Sequence, residues 1–336
     1  MKFIKFAFAG TLVCVWILGA LFYSQTSRPA SDDPTQVTID IPPGTTLRKI
    51  SDQLFEKKLI KSPSAFRMLA YLKDKENQIQ VGEFTLFPSM LPIEILTKIT
   101  SGKPILHPVT IPEGYRITEI AKLLADRNLS DPKIFIEETR NKELIDSLGI
   151  PADSLEGYLF PETYRFSKYT SEKKIVQTMV EIFKERVLKL KYLKRSERLK
   201  SSFHEIITLA SLIEKETGKD EERKQISAVF HNRLKKNMRL QTDPTVIYAI
   251  QDFDGNIRKK DLSIDSPYNT YKYRGLPPGP IANPGLKSII AALFPTESDH
   301  LYFVSRKDGG HQFSTNLVDH NRAVRKYQLR KKRKRL

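Results

Sequence analysis

Ile41-Pro-Pro-Gly-Thr-Thr-Leu-Arg-Lys-Ile-Ser-Asp-Gln-Leu54 returns 70 residues later as Ile111-Pro-Glu-Gly-Tyr-Arg-Ile-Thr-Glu-Ile-Ala-Lys-Leu-Leu124. Ile41/Ile111, Pro42/Pro112, Gly44/Gly114, Ile50/Ile120 and Leu54/Leu124 coincide, and Leu59/Leu129 follows. Each copy reads as a strand, a Pro-Gly turn and an amphipathic helix whose apolar residues recur at helical spacing. After the first copy a second helix is expected near Ser64 to Leu72. Val81-Gly-Glu-Phe-Thr-Leu-Phe87 then alternates as a strand, and Leu91 to Thr100 makes a further helix.

A strand–helix–helix–strand unit opening on this turn resembles the small glycan-binding LysM module over residues 37–103, with 104–150 as a second, partial repeat. A docking role, holding the rest of the chain at a fixed height, is the plainer alternative. Before it, Phe6 to Tyr23 carries no charge. At about 1.5 Å per residue that stretch spans roughly 27 Å, enough for a hydrocarbon core. Lys2 and Lys5 precede it, so residues 1–5 should stay cytoplasmic and the chain beyond a linker, 24–36, should be exported. A cleaved signal peptide is the competing reading. The one cysteine, Cys14, lies inside this stretch and excludes an intramolecular disulfide.

Lys and Arg number 56 against 39 Asp and Glu, a net charge of +17. Such a balance suits anionic headgroups or wall polymers. Nucleic acid is not expected as a partner of an exported chain. The basic tail, 328–336, reads as solvated.

From Pro151 the character changes. Leu155-Glu-Gly-Tyr-Leu-Phe-Pro-Glu-Thr-Tyr164 mixes aromatics, turn formers and carboxylates, Glu162 among them. Ser171 to Lys200 is expected as a long helix, His204 to Glu216 as a strongly apolar one, and Glu221 to Lys236 as the next. Leu286 to Leu293 reads as a helix, His300–Ser305 and His311–Phe313 as a hairpin around Asp308-Gly-Gly310, and a last helix starts near Asn316.

Leu209-Ala-Ser-Leu-Ile-Glu-Lys-Glu-Thr-Gly218 carries the chemistry. Glu214 and Glu216 lie about 200° apart around a helix. Glu216 shares the face of Leu209, Leu212 and Ile213, where burial should raise a carboxyl pKa and make it a proton donor for glycosidic bond cleavage. A solvated helix end is the bland alternative. Leu240-Gln-Thr-Asp-Pro-Thr-Val-Ile-Tyr248 reads as a turn set by Pro244, presenting Gln241, Asp243, Thr245 and Tyr248. Tyr268, Asn269 and Tyr271 offer flat faces and hydrogen bonds for sugar rings. Asn283 sits in the rigid run Gly275-Leu-Pro-Pro-Gly-Pro-Ile-Ala-Asn-Pro-Gly285. Metal and nucleotide chemistry lack their spacings, so no metal and no cofactor is expected. His231, His311 and His320 read as structural.

These motifs, with Val229-Phe-His-Asn-Arg-Leu234 and Gly310-His-Gln-Phe-Ser-Thr-Asn316, resemble the endolytic murein transglycosylases, the YceG-like lytic transglycosylases of bacteria. The resemblance runs from the N-terminal span to about Tyr327. It implies an α+β chain: a transmembrane helix (6–23), the LysM-like βααβ module, and an α+β catalytic domain (151–327). It implies cleavage between N-acetylmuramic acid and N-acetylglucosamine in nascent peptidoglycan strands, with Glu216 as the catalytic glutamate. It also implies a single-pass place in the inner membrane, beside cell-wall synthesis proteins. A hydrolytic muramidase using Asp243 or Glu162 as second carboxylate, and a non-catalytic wall-binding scaffold, are the alternatives.

Overall fold

A computed structural model describes residues 2–329, except the side chains of residues 2–11, 190, 191 and 193. The chain is a mixed α+β protein of two compact units, Met1–Pro108 with Arg165–Thr170, and Val109–Tyr164 with Ser171–Leu336.

The first unit begins with α1 (Lys2–Thr26) and continues through β1 (Val37–Ile41), α2 (Leu47–Glu56), α3 (Pro63–Leu72), β2 (Gly82–Leu86) and α4 (Pro92–Ser101). Thr46 and Ser62 cap α2 and α3 by accepting backbone N–H bonds from Lys49 and Ala65. Strands β1 and β2 pair antiparallel, Ile39 opposite Phe84. Alternate residues of both strands face one core with Ile50, Leu54, Phe66 and Ile95. The span expected at Phe6–Tyr23 falls in α1, but the side chains of residues 2–11 are not described. Among the described residues no helix is long and apolar enough to cross a membrane. The described part of α1 does expose a run of large apolar side chains, Trp16 at 78% and Leu18 at 65%. The expected tail falls mostly on residues 330–336, outside the described residues.

The repeat recurs in three dimensions. Strand β3 (Leu106–Thr110) leads into α5 (Ile117–Asp126), α6 (Pro132–Glu138) and α7 (Lys142–Ser147), and β3 pairs with β4 (Thr163–Ser167). Gly44 and Gly114 occupy the same left-handed backbone region, φ 75° and 77°, so both Pro-x-Gly turns need a residue without a Cβ. No unit boundary falls at 151: residues 109–164 are part of the second unit.

The second unit continues with α8 (Glu172–Val187), α9 (Leu190–Arg198), α10 (Phe203–Glu216), α11 (Asp220–Lys235), α12 (Asp243–Ala249), α13 (Leu286–Leu293), the antiparallel hairpin β5 (Tyr302–Ser305) and β6 (His311–Ser314), and α14 (Leu317–Val324). The single helix expected over Ser171–Lys200 is divided at Leu188 and Lys189, where Leu188 leaves helical geometry at ψ 52° while Val187 stays buried. Ser202 and Glu205 form a capping box at the start of α10. Every residue from Ile206 to Ile213 is buried, so α10 is the central helix, packed against α11, α12 and α13.

Asn283 ties this unit together. Its Oδ1 accepts the N–H groups of Gly157 and Leu159, each at 2.9 Å. Its Nδ2 donates to Tyr115 O and to Glu156 Oε1. Glu156 is buried, and burial raises its pKa to about 8, against hydrogen bonding from Ile117 N–H and the charge of Arg116. The folded state therefore keeps a proton that the unfolded chain has lost over the window from ordinary glutamate values to about pH 8. Stability should fall as pH rises through that window. Glu156→Gln is expected to melt at a temperature that declines less between pH 5 and 8, and equal slopes would refute the assignment.

Candidate active site

Glu216 is the last residue of α10, and Thr217 leaves the helix in an extended conformation. The Glu216 carboxylate accepts the Thr242 hydroxyl hydrogen bond and lines a cavity of about 470 Å³ with Arg233, Gln241, Asp243, Tyr271 and His311. Burial raises its pKa above the ordinary glutamate value. The charge of Asp243 pushes the same way, while the Thr242 hydrogen bond, His311 and Arg233 oppose. No cation forms an ion pair with it among the described residues.

Glu214, two residues earlier, has a different environment. Its Oε1 accepts from Arg223 Nη2 at 3.1 Å and its Oε2 from Gly285 N–H at 2.9 Å. Both side chains of this pair are 6% exposed. Arg223 Nε also reaches Ser288 Oγ at 3.0 Å. Glu214 thus fastens the Pro/Gly run 275–285 and α13 to the end of α10.

The residues nearest Glu216 are held by backbone constraints. Gln241 adopts φ 51°, in the left-handed region that a residue with a Cβ seldom occupies. Its N–H donates to Thr270 O at 3.2 Å. Arg233 donates to Leu240 O at 2.7 Å and to Leu301 O at 2.6 Å, joining this segment to the hairpin. Pro244 lies in the first turn of α12, where its missing N–H costs nothing, so the expected turn is a helix start. Tyr271 donates to Asp243 Oδ1 at 2.5 Å on the cavity wall.

Of the ten residues singled out in the sequence, the structure brings Glu216, Gln241, Asp243 and Tyr271 to one cavity. The other six are not among its lining residues. Thr245 is buried and bonds Thr242 O and the Thr270 hydroxyl. Asn269 is buried, donates to Leu262 O and Ile264 O, and accepts from Tyr271 N–H, so it shapes the loop that carries Tyr271. Asn283 is consumed by its bonds to Gly157, Leu159, Tyr115 and Glu156. Tyr248 packs against Tyr268 with ring centroids 4.8 Å apart and directs its hydroxyl at Glu156, 3.5 Å away. Glu162 lies beside β4 and faces Arg186 at 3.6 Å. Polar side chains in these loops turn inward because the buried backbone of irregular segments must find partners there.

The sequence gives no site role to Arg233 and reads His311 and His320 as structural, yet all three line the cavity. Arg233 stands in a quoted motif, but nothing local indicates that its guanidinium meets carbonyls at 239, 240 and 301. His231, by contrast, bonds Ala292 O through Nε2 at 2.8 Å and is not part of the cavity.

The sequence profile of the YceG-like family matches residues 39–326. An endolytic murein transglycosylase of Bacillus subtilis (strain 168) is 38% identical over 328 residues, 92% of this chain and 90% of that protein. One of Streptococcus pneumoniae serotype 2 (strain D39 / NCTC 7466) is 33% identical over 320 residues, 86% of this chain and 58% of that protein. A crystal structure of a YceG-like protein from Listeria monocytogenes superposes with a TM-score of 0.59 at 36% identity, covering 85% of this chain and 98% of that one.

Proposed function

The chain belongs to the YceG-like family, and on that premise we propose that it cleaves peptidoglycan glycan strands as a lytic transglycosylase with Glu216 as its proton-transfer group. The carrying observation is a glutamate with a raised pKa and no ion-pair partner among the described residues, facing a cavity wide enough for a sugar ring. Glu216, protonated, donates to the glycosidic oxygen as the bond to muramic acid C1 breaks. As carboxylate it takes the proton of the C6 hydroxyl of the same sugar. That oxygen closes on C1 and gives a 1,6-anhydro ring, with no water consumed. Tyr271 and Asp243 form a hydrogen-bonded wall beside the reacting sugar, and Gln241 presents its amide from a strained backbone.

A hydrolytic second reading has one observation in its favour: Asp243 lines the same cavity, so a carboxylate is available to activate water. Glu162 does not share that cavity. Digestion of peptidoglycan by the full chain, followed by mass spectrometry of the new ends, separates the readings. Anhydro ends are expected. Free reducing ends would establish the hydrolase, and intact strands would leave a wall-binding scaffold.

The substrate is the wall polymer. The exposed apolar face of α1 supports a single-pass membrane anchor, with the rest of the chain outside the cytoplasm and next to strand synthesis, where cleavage would terminate growing strands. The βααβ order of the first unit supports a LysM-like role in holding glycan. Alkaline extraction should leave the full chain with the membrane pellet, and release into the supernatant would refute the anchor.

A further inference from the structure

The turn before β6 delivers His311 to the cavity wall, and the proton transfers of Glu216 make no use of it. Glu222 on α11 clasps this residue twice: His311 Nδ1 lies 2.7 Å from Glu222 Oε2, and His311 N–H donates to Oε1 at 3.0 Å. The two side chains are 12% and 13% exposed. Phe303 meets the imidazole edge to face, with centroids 5.4 Å apart and planes at 88°. These contacts leave the ring one orientation. Burial would raise the Glu222 carboxyl, but the hydrogen bonds from His311 hold it below the ordinary glutamate value, so it is an acceptor at neutral pH. An acceptor opposite Nδ1 places the imidazole proton there. Nε2, on the far side of the ring, has no hydrogen-bond partner among the described residues, and the ring lines the cavity with Glu216.

We propose that His311 is a substrate-contacting residue whose Nε2 accepts a hydrogen bond from a hydroxyl of the sugar seated against Glu216, with Glu222 as the positioning residue that sets its tautomer. The inference rests on the sugar-cleaving reading of this cavity. It gives the reacting sugar a second fixed point: Glu216 moves the protons, and the imidazole holds the ring in register with it.

Glutamine and asparagine substitutions divide the two ring nitrogens between them. His311→Gln can place an amide oxygen near the position of Nε2, whereas His311→Asn reaches only that of Nδ1. Measured on the full chain with peptidoglycan, His311→Asn should lose about 10- to 100-fold in kcat/KM, the range for one buried hydrogen bond left unmade. His311→Gln should keep most of the activity. Equal activity in the two variants would overturn the proposal. Nitrogen-15 NMR of the non-cleaving Glu216→Gln protein tests it without touching His311. Nδ1 should carry the proton and Nε2 should be bare. The Nε2 resonance should shift on adding a soluble tetrasaccharide of the wall polymer. A protonated Nε2, or one unmoved by saturating sugar, sinks the proposal. A wild-type chain that never cleaves peptidoglycan would instead sink the lyase reading.

Discussion

Glu216→Gln is expected to lower kcat by about 10²- to 10⁴-fold, the span that general acid–base groups contribute, while the fold persists. Glutamine keeps an oxygen able to accept the Thr242 hydroxyl and fills the same volume, so the cavity wall is unchanged. What it lacks is the proton for the leaving oxygen and the basic carboxylate that takes one back. The raised pKa also fixes the pH behaviour. Cleavage needs the protonated form, so kcat/KM should decline as pH rises through a pKa higher than that of ordinary glutamate. The folded chain holds this proton after the unfolded chain has released it, so ionisation there costs stability as pH rises. Glu216→Gln should therefore be as stable as the wild type at low pH and relatively more stable above the transition. A Glu216→Gln protein that retains wild-type cleavage would remove Glu216 from the mechanism.

Arg223→Ala is expected to destabilise the chain by about 3–5 kcal/mol, more than Glu216→Gln or either substitution of His311. It strands the Glu214 carboxylate, 6% exposed, with Gly285 N–H as its remaining donor. For a unit of this size such a loss lowers the melting temperature by roughly 6–20 °C. Activity should fall with it even at low temperature, because the run 275–285 and α13 lose their tie to the end of α10 where Glu216 sits. Exchanging both partners, as Glu214→Gln with Arg223→Met, removes the stranded charge and should recover part of the loss. Thermal melting of the single and double variants decides the matter. An Arg223→Ala variant within about 1 kcal/mol of the wild type, the worth of an exposed ion pair, would show the pair to be dispensable.

Much of the fold is legible in local pattern. Ser202 with Glu205 marks where α10 begins, Asn316 marks α14, and the apolar run before Glu214 identifies the central helix. The hairpin around Asp308-Gly309-Gly310 follows from alternation on either side of turn formers. The start of α12 is less legible, because a proline after polar residues reads equally as a turn and as a first helical turn. The break at Leu188 is not legible at all. No proline or glycine marks it, and only the burial of Val187 and Tyr192 shows that the chain must bend there.

The sequence by itself determined the repeat, the class of each main element, and the separation of Glu214 and Glu216 onto different helix faces. All of these depend on neighbours within a few residues, through helical spacing, capping and the left-handed glycines. Only the tertiary structure decided which polar groups remain free to act. Glu214 is neutralised by an arginine nine residues on and a backbone amide 71 residues on. Asn269 is spent on loop backbone, Asn283 on backbone and the Glu156 carboxyl, and His311 reaches the cavity because Glu222, 89 residues earlier, holds it there. Desolvation and pairing are set by groups distant along the chain, and no local pattern encodes their meeting.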